Sequence, residues 1–306
     1  MALLLARRLL QAALILLGVA AITFVLLYAL PADPAVLLAG RNATPQTVAN
    51  IRHQLGLDLP LPVQFWNYIV HLLQGDLGRS FNQKTAVAPL ILARLPATLT
   101  LMAAGIAIEV MIGLTLGVIA AVRRDGAIDR LVMTLSFVGV STPQFLVALL
   151  LLYVFAATLG WFPMSGYGTP AHLVLPAVTL GILGAGWYAR IVRSAMIDVL
   201  GQDYVRTAHA KGVPAARVVL RHALPNALLP VIAMIGIDIG QFMSGAVVVE
   251  AVFGWPGIGQ LAWQAIQQVD IPIIMGVTLV SALAIVLGNL LADLIAPFID
   301  PRIRAG

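Results

Sequence analysis

QDYVRTAHAKGVPAARVVLRHALPNALLP, residues 202–230, is the stretch whose reading decides the fold. It lies between two long apolar runs, yet it carries Arg206, Lys211, Arg217 and Arg221, together with His209 and His222. Its residues suit short helices. Gly212 is placed to end the first, since glycine is favoured just past a helix C-terminus. Val213 and Pro214 open a second, along which Arg217 and Arg221 stand one turn apart. Ala208, Ala210 and Gly212 present small surfaces that let another protein approach closely, and Tyr204 offers an aromatic anchor. A connection this polar in so apolar a chain predicts a docking element. The alternative is a basic juxtamembrane helix resting on anionic lipid.

The surroundings of that stretch are membrane-like. The 306 residues are 60% hydrophobic and 10% charged, where soluble domains carry about 25% charged residues. Mean hydropathy is +0.97. These values predict a polytopic membrane protein of all-α class. The sequence has no cysteine, which excludes disulfides, thiolate metal sites and cysteine nucleophiles.

A spanning helix needs about 20 mostly apolar residues. Six such segments are predicted, at residues 9–30, 97–122, 131–158, 173–197, 223–249 and 273–298. The first follows Arg7 and Arg8 but is longer than a signal-peptide core and ends in no small-residue cleavage site, so it reads as a retained helix. Of the 18 Lys and Arg, thirteen fall on one side: Arg7, Arg8, Arg123, Arg124, Arg130, Arg190, Arg193, Arg206, Lys211, Arg217, Arg221, Arg302 and Arg304. Arg41, Arg52, Arg79, Lys84 and Arg94 fall on the other. The positive-inside rule makes the richer side cytoplasmic and puts both termini there. The net charge of +5 is therefore a topology signal, and nucleic acid is not an expected partner.

Residues 31–95 are too polar to span. They hold turn signals at residues 31–34, 42–45 and 59–62 and a predicted helix near residues 47–55, with Thr44 as N-cap and Pro45 at its first position. A second, amphipathic stretch at residues 63–73 places Phe65, Trp66, Ile69, Leu72 and Leu73 near helical spacing. Trp66 and Tyr68 suit a membrane interface. The segment is longer than connectors usually are, so a small extracytoplasmic insert is expected. The organisation reads as an N-terminal helix to residue 30, this insert at 31–95, a five-helix domain at 96–298 containing the loop at 198–222, and a tail at 299–306.

The chain lacks several chemistries. Its two lysines, Lys84 and Lys211, follow no glycine, so there is no phosphate-binding loop of the Walker type. His53, His71, His172, His209 and His222 show no metal-ligand spacing. No catalytic residue, metal or cofactor is expected in the chain itself. What it has instead are ionisable residues at depth, which usually face a bundle interior or a water-filled path. Glu109 falls in the second span, Asp238 in the fifth and Asp293 in the sixth, while Glu250 sits at the outer end of the fifth. Met234, Asp238, Gln241 and Gly245 share one helical face and are candidates to line a path. The alternative for that face is interhelical hydrogen bonding or contact with a second subunit. Asp293 reads as structural, with Asn289 as its candidate partner. Gly105, Gly113 and Gly117 in the second span, and Gly236, Gly240 and Gly245 in the fifth, allow tight packing, and Pro225 and Pro230 predict a break at the start of the fifth.

The loop resembles the EAA loop of bacterial ABC importer permeases (Glu-Ala-Ala, three residues, Gly, nine residues, Ile-x-Leu-Pro). Arg206-Thr207-Ala208, Gly212 and Leu224-Pro225 carry the match. Arg206, Thr207 and His222 depart from the general pattern, and Asp203-Tyr204-Val205-Arg206-Thr207-Ala208-His209-Ala210-Lys211-Gly212 is similar to the dipeptide/oligopeptide/nickel branch. Fragments along nearly the whole chain resemble the same branch: LPADP at 30–34, QLGLDLPL at 54–61, GDLGRS at 75–80, STPQF at 141–145, WPGIG at 255–259 and DPRIR at 300–304. The resemblance implies a type I ABC importer permease fold in a bacterial inner membrane. It implies ATPase coupling through Asp203, Tyr204, Arg206, Thr207, Ala208, Lys211 and Gly212. The implied partners are a second homologous permease subunit, cytoplasmic ATPase subunits that bind ATP and Mg, an extracytoplasmic substrate-binding protein and the lipid bilayer. Peptide is the implied cargo, with glutathione or nickel as alternatives. A secondary transporter would show an internal repeat and unwound mid-membrane helices, and neither is evident in the sequence.

Overall fold

The computed structural model describes residues 2–29, 34–40, 43–54 and 56–299, without the side chains of 2–6, 27–29, 34, 37–38, 244–245 and 292–299. The LPADP turn, Asn42, the DPRIR terminus, and the side chains of Gly245 and Asp293 therefore lie outside the described residues. The described chain is helical, and the single strand-like pairing described is an isolated bridge between Arg79 and Ala86.

In chain order the helices are α1 (Ala2–Ala29), α2 (Pro34–Ala39), α3 (Pro45–Gln54), α4 (Leu61–Leu73), α5 (Val87–Val122), α6 (Ala127–Ser141) and α7 (Gln144–Leu151). A π-helical stretch, Leu152–Thr158, continues α7. Then come α8 (Pro170–Leu200), α9 (Asp203–Ala210) and α10 (Ala215–Arg217), the last extended by a π-helical Val218–Ala223. The chain continues with α11 (Leu224–Ala227), α12 (Leu229–Gly245), α13 (Val247–Val252), α14 (Ile258–Gln267) and α15 (Ile271–Ile299).

Four segments among the described residues are long and apolar enough to cross a membrane: Arg7–Leu26, Val87–Val122, Pro170–Leu200 and Ile271–Leu291. Six spans result if each of two bent pairs counts as one. The expected third span, residues 131–158, is not one helix: α6 and α7 meet at 100°. Pro143 disfavours helical backbone at the residue before it, and Thr142 is extended at φ −82°, ψ 129°. The expected fifth span, residues 223–249, also divides, with a 50° bend at Leu228 and a further break at Ala246. Pro225 and Pro230 each withhold an amide from the helical ladder there.

The chain forms two compact units. The first comprises Met1–Pro96 and Gly257–Leu283. Its α1 and α4 meet through Phe24, whose ring is 5.2 Å from Phe65 and 5.9 Å from Tyr68. Thr44 caps α3, its Oγ1 accepting from the Thr47 amide at 3.2 Å. His53, in the last turn of α3, lies 2.7 Å from Asp58 and holds that carboxyl below the usual carboxylate range. The serine of GDLGRS ties two distant parts of the chain together. Ser80 Oγ donates to buried Asp270 at 2.5 Å. Asp270 also accepts the amides of Phe81 (3.2 Å) and Asn82 (3.1 Å), pinning that turn to the start of α15.

The second unit comprises Ala97–Pro256 and Ala284–Gly306. In lipid, burial of apolar surface does not drive helices together, so close packing and polar contacts must. Gly113 and Gly117 bring α5 against α8: a side chain at Gly113 would collide with Tyr188, and one at Gly117 would come within 2.7 Å of the Ala189 carbonyl. The tryptophan of WPGIG is buried, and its indole N–H donates to the Ala97 carbonyl at 2.9 Å. Glu250, also buried, accepts from Thr98 Oγ1 at 2.8 Å, so it is an interhelical anchor in α13. Near the start of α6, Asp129 receives a two-pronged contact from Arg193 of α8, at 2.5 and 2.6 Å.

Arg193 is partly exposed, but its loss would leave the Asp129 carboxylate without its cation. Asp129 is 3% exposed, so Arg193→Ala is expected to lower the thermal midpoint of the detergent-purified protein clearly. Arg193→Lys keeps the charge but loses the fork and should fall between. An unchanged midpoint in Arg193→Ala would remove this pair from the account of the fold.

Candidate functional site

Two sites in the second unit hold the candidate residues. The first is the loop from α9 to α11. Val205 of α9 and Val218 of the following π-helical stretch are buried, and the two elements pack against each other. Tyr204 is half exposed; its hydroxyl accepts from Asn226 Nδ2 at 3.0 Å, and Asn226 also reaches the His222 carbonyl at 2.9 Å. Between the arms, Gly212 sits at φ +77°, a left-handed conformation that favours glycine. Its amide donates to the His209 carbonyl at 2.9 Å and the Val213 amide to the Ala208 carbonyl at 3.2 Å. That pair of bonds is the Schellman arrangement, which satisfies the last carbonyls of α9 and turns the chain.

This geometry leaves one side of the loop open. Asp203, Tyr204, Arg206, Thr207, Lys211 and Gly212 are exposed, and Ala208 is half-buried. Among the described residues Arg206 reaches only Asp203, at 3.4 Å, with both side chains largely in solvent. Leu220 adds an exposed apolar side chain. Charge, an aromatic ring and small residues thus stand together on a rigid helical hairpin. The burial of Val205 and Val218 and the Asn226 tie carry no signal in the sequence, because the loop's apolar residues there look like ordinary helix positions.

The second site is a cleft of about 510 Å³. Glu109 of α5, Gly184, Trp187 and Tyr188 of α8, Met234, Asp238 and Gln241 of α12, and Thr142 and Gln144 at the α6–α7 bend all line it. The helical spacing that placed Met234, Asp238 and Gln241 on one face brings them to one cavity; Gly245 ends α12, and its surroundings lie outside the described residues. Tyr188, itself buried, donates its hydroxyl to Asp238 Oδ2. Glu109 faces the same cleft, although its sequence context points to it less strongly than helical spacing points to the α12 face. Only the partner helix explains its placement: α8 has a glycine where a side chain would strike the Glu109 carboxyl.

The comparisons with known proteins agree along nearly the whole chain. Residues 113–305 match the family described as binding-protein-dependent transport system inner membrane component, and residues 1–102 match the N-terminal family of the same membrane components. The glutathione transport system permease protein GsiC of Salmonella typhimurium is 44% identical over 289 residues, covering 94% of each chain. A putative peptide permease protein of Brucella suis biovar 1 is 45% identical over 302 residues, covering 94% of this chain and 95% of that one. Among solved structures, an inward-facing MetNI methionine ABC transporter superposes with a TM-score of 0.60 at 20% identity, over 69% of this chain and 96% of that one. That likeness shows the fold, a type I importer permease.

Because the natural chain has no cysteine, one introduced thiol reports without background. Gln241→Cys, on the exposed side of α12, is expected to react with a polar, membrane-impermeant thiol reagent. Ala189→Cys, fully buried between α5 and α8, is not. Equal labelling, or none at Gln241→Cys, would deny the cleft contact with water.

Proposed function

This chain belongs to the binding-protein-dependent transport system inner membrane component family, and from that premise we propose that it forms half of a translocation path for peptides. It is a multi-pass inner-membrane permease subunit of an ABC importer. The observation that carries the cargo assignment is near-full-length similarity, at about the same identity, to a putative peptide permease and to a glutathione permease. Glutathione, itself a small peptide, is the second cargo supported by the same observation.

The partners follow from the family. A second homologous permease subunit supplies the other half of the path, a binding protein delivers the cargo, and separate ATPase subunits do the ATP chemistry. The excess of Lys and Arg on one side orients both termini and the loop to the cytoplasm. The exposed face of Asp203, Tyr204, Arg206, Thr207, Ala208, Lys211 and Gly212 is the docking surface for an ATPase. ATP-driven closure of the ATPases pulls on this rigid hairpin. The pull passes through α11 and α12 to the cleft and opens it outward. Hydrolysis restores the inward-facing form. Met234, Asp238 and Gln241 line the path.

Affinity purification of the tagged chain from its native membrane tests the assembly. Recovery of ATPase subunits, a second permease and a binding protein is expected. A chain that purifies alone would contradict it. Gly212→Val forces a branched side chain into left-handed backbone, a strain of about 1–3 kcal/mol. It should reduce ATPase recovery severalfold while the spans still insert. Full ATPase recovery with this variant would deny the hairpin its docking role.

A further inference from the structure

The cleft of the second unit holds more acid than its own packing uses. Glu109 is 3% exposed, and its Oε2 has no hydrogen-bond partner among the described residues. Asp238 gives one carboxyl oxygen to Tyr188. Both acids line the same cavity. No Lys, Arg or His is among the described residues that line it. Arg190 lies over the Trp187 ring at 4.3 Å but does not itself line the cleft.

Buried polar groups almost always have partners, and burying one without a partner is costly. Here the surroundings hold the two acids in place. Gly184 leaves room for the Glu109 carboxyl, and Tyr188 fixes Asp238. A group that donates more than one hydrogen bond and carries positive charge matches both acids. A transition metal does not fit, because no group of three His, Cys, Asp or Glu gathers among the described residues. A primary ammonium does fit. It has three N–H donors and no acceptor, enough to bond Glu109 Oε2 and the second Asp238 oxygen together.

We propose that Glu109 and Asp238 form a subsite for a primary ammonium group of the cargo, such as the free N-terminus of a peptide. This rests on the assignment of the cleft to the translocation path. The subsite would favour cargo with an unblocked amine and would hold it only in transit.

The test uses the assembled transporter carrying Gln241→Cys, an exposed residue of the cleft lining. The readout is the rate of thiol labelling with and without alanylalanine, N-acetyl-alanylalanine or propylammonium. Alanylalanine is expected to slow labelling and its N-acetylated form not to. Propylammonium should also slow labelling if the ammonium alone is recognised; protection by alanylalanine only would tie recognition to a peptide. In a Glu109→Gln or Asp238→Asn background the concentration of alanylalanine needed should rise about ten- to hundredfold, the range expected for lost hydrogen bonds to a charged group. Glu109→Asp should restore part of the protection. Equal protection by both peptides, no protection by either, or protection that survives both neutral substitutions would overturn the subsite. A Gln241→Cys that never labels would instead overturn the path assignment beneath it.

Discussion

Two glycines, Gly113 and Gly117, let α5 lie so close to α8 that Tyr188, Ala189 and Val192 meet its backbone directly. Much of the second unit follows from this contact. It buries Tyr188, whose hydroxyl donates to Asp238 on α12. It also sets Glu109 opposite Gly184, so that the acid turns into the cleft. Helices in lipid gain little from apolar burial against one another, so such close approaches and a few polar ties must hold the bundle. Asp129–Arg193, Thr98–Glu250 and Trp255–Ala97 are the other ties of this kind.

The loop and the cleft are built on the same frame. Ala223, Ala227 and Val231 pack in one buried cluster with Tyr188, Val192 and Met196. Displacement of the hairpin would therefore reach α8 and α12 without any long flexible connector. The π-helical turn and the bend at Leu228, both beside prolines, mark where such a segment is least constrained by its own hydrogen bonds. Polar groups in the cleft gain leverage from that arrangement, since a small tilt of α12 moves Asp238 and Gln241 together.

Features with a local signature are legible in the sequence. Gly212 announces the end of α9 because left-handed backbone selects glycine, and Thr44 with Pro45 announces the start of α3 for an equally local reason. The common face of Met234, Asp238 and Gln241 follows from helical spacing. What depends on a distant partner is not legible. Arg193 reads as one more cytoplasmic-side cation until Asp129 is placed beside it. Ser80 is a motif letter until Asp270 arrives from the far end of the sequence. Glu109 looks like a weaker candidate than Asp238 because nothing near it in the chain reveals Gly184 across the interface. Pro143 stands within a recognisable motif, but a 100° bend is a backbone consequence that hydropathy windows average away.

We propose that movement through this chain is driven from the α9–α11 hairpin by ATP. The most direct measurement is accumulation of labelled glutathione and labelled alanylalanine by proteoliposomes holding the complete transporter and its binding protein, with ATP, a non-hydrolysable analogue or a proton gradient as the energy source. Accumulation of either cargo against its gradient only with hydrolysable ATP is the predicted result. Accumulation driven by the proton gradient in the absence of ATP would contradict the account.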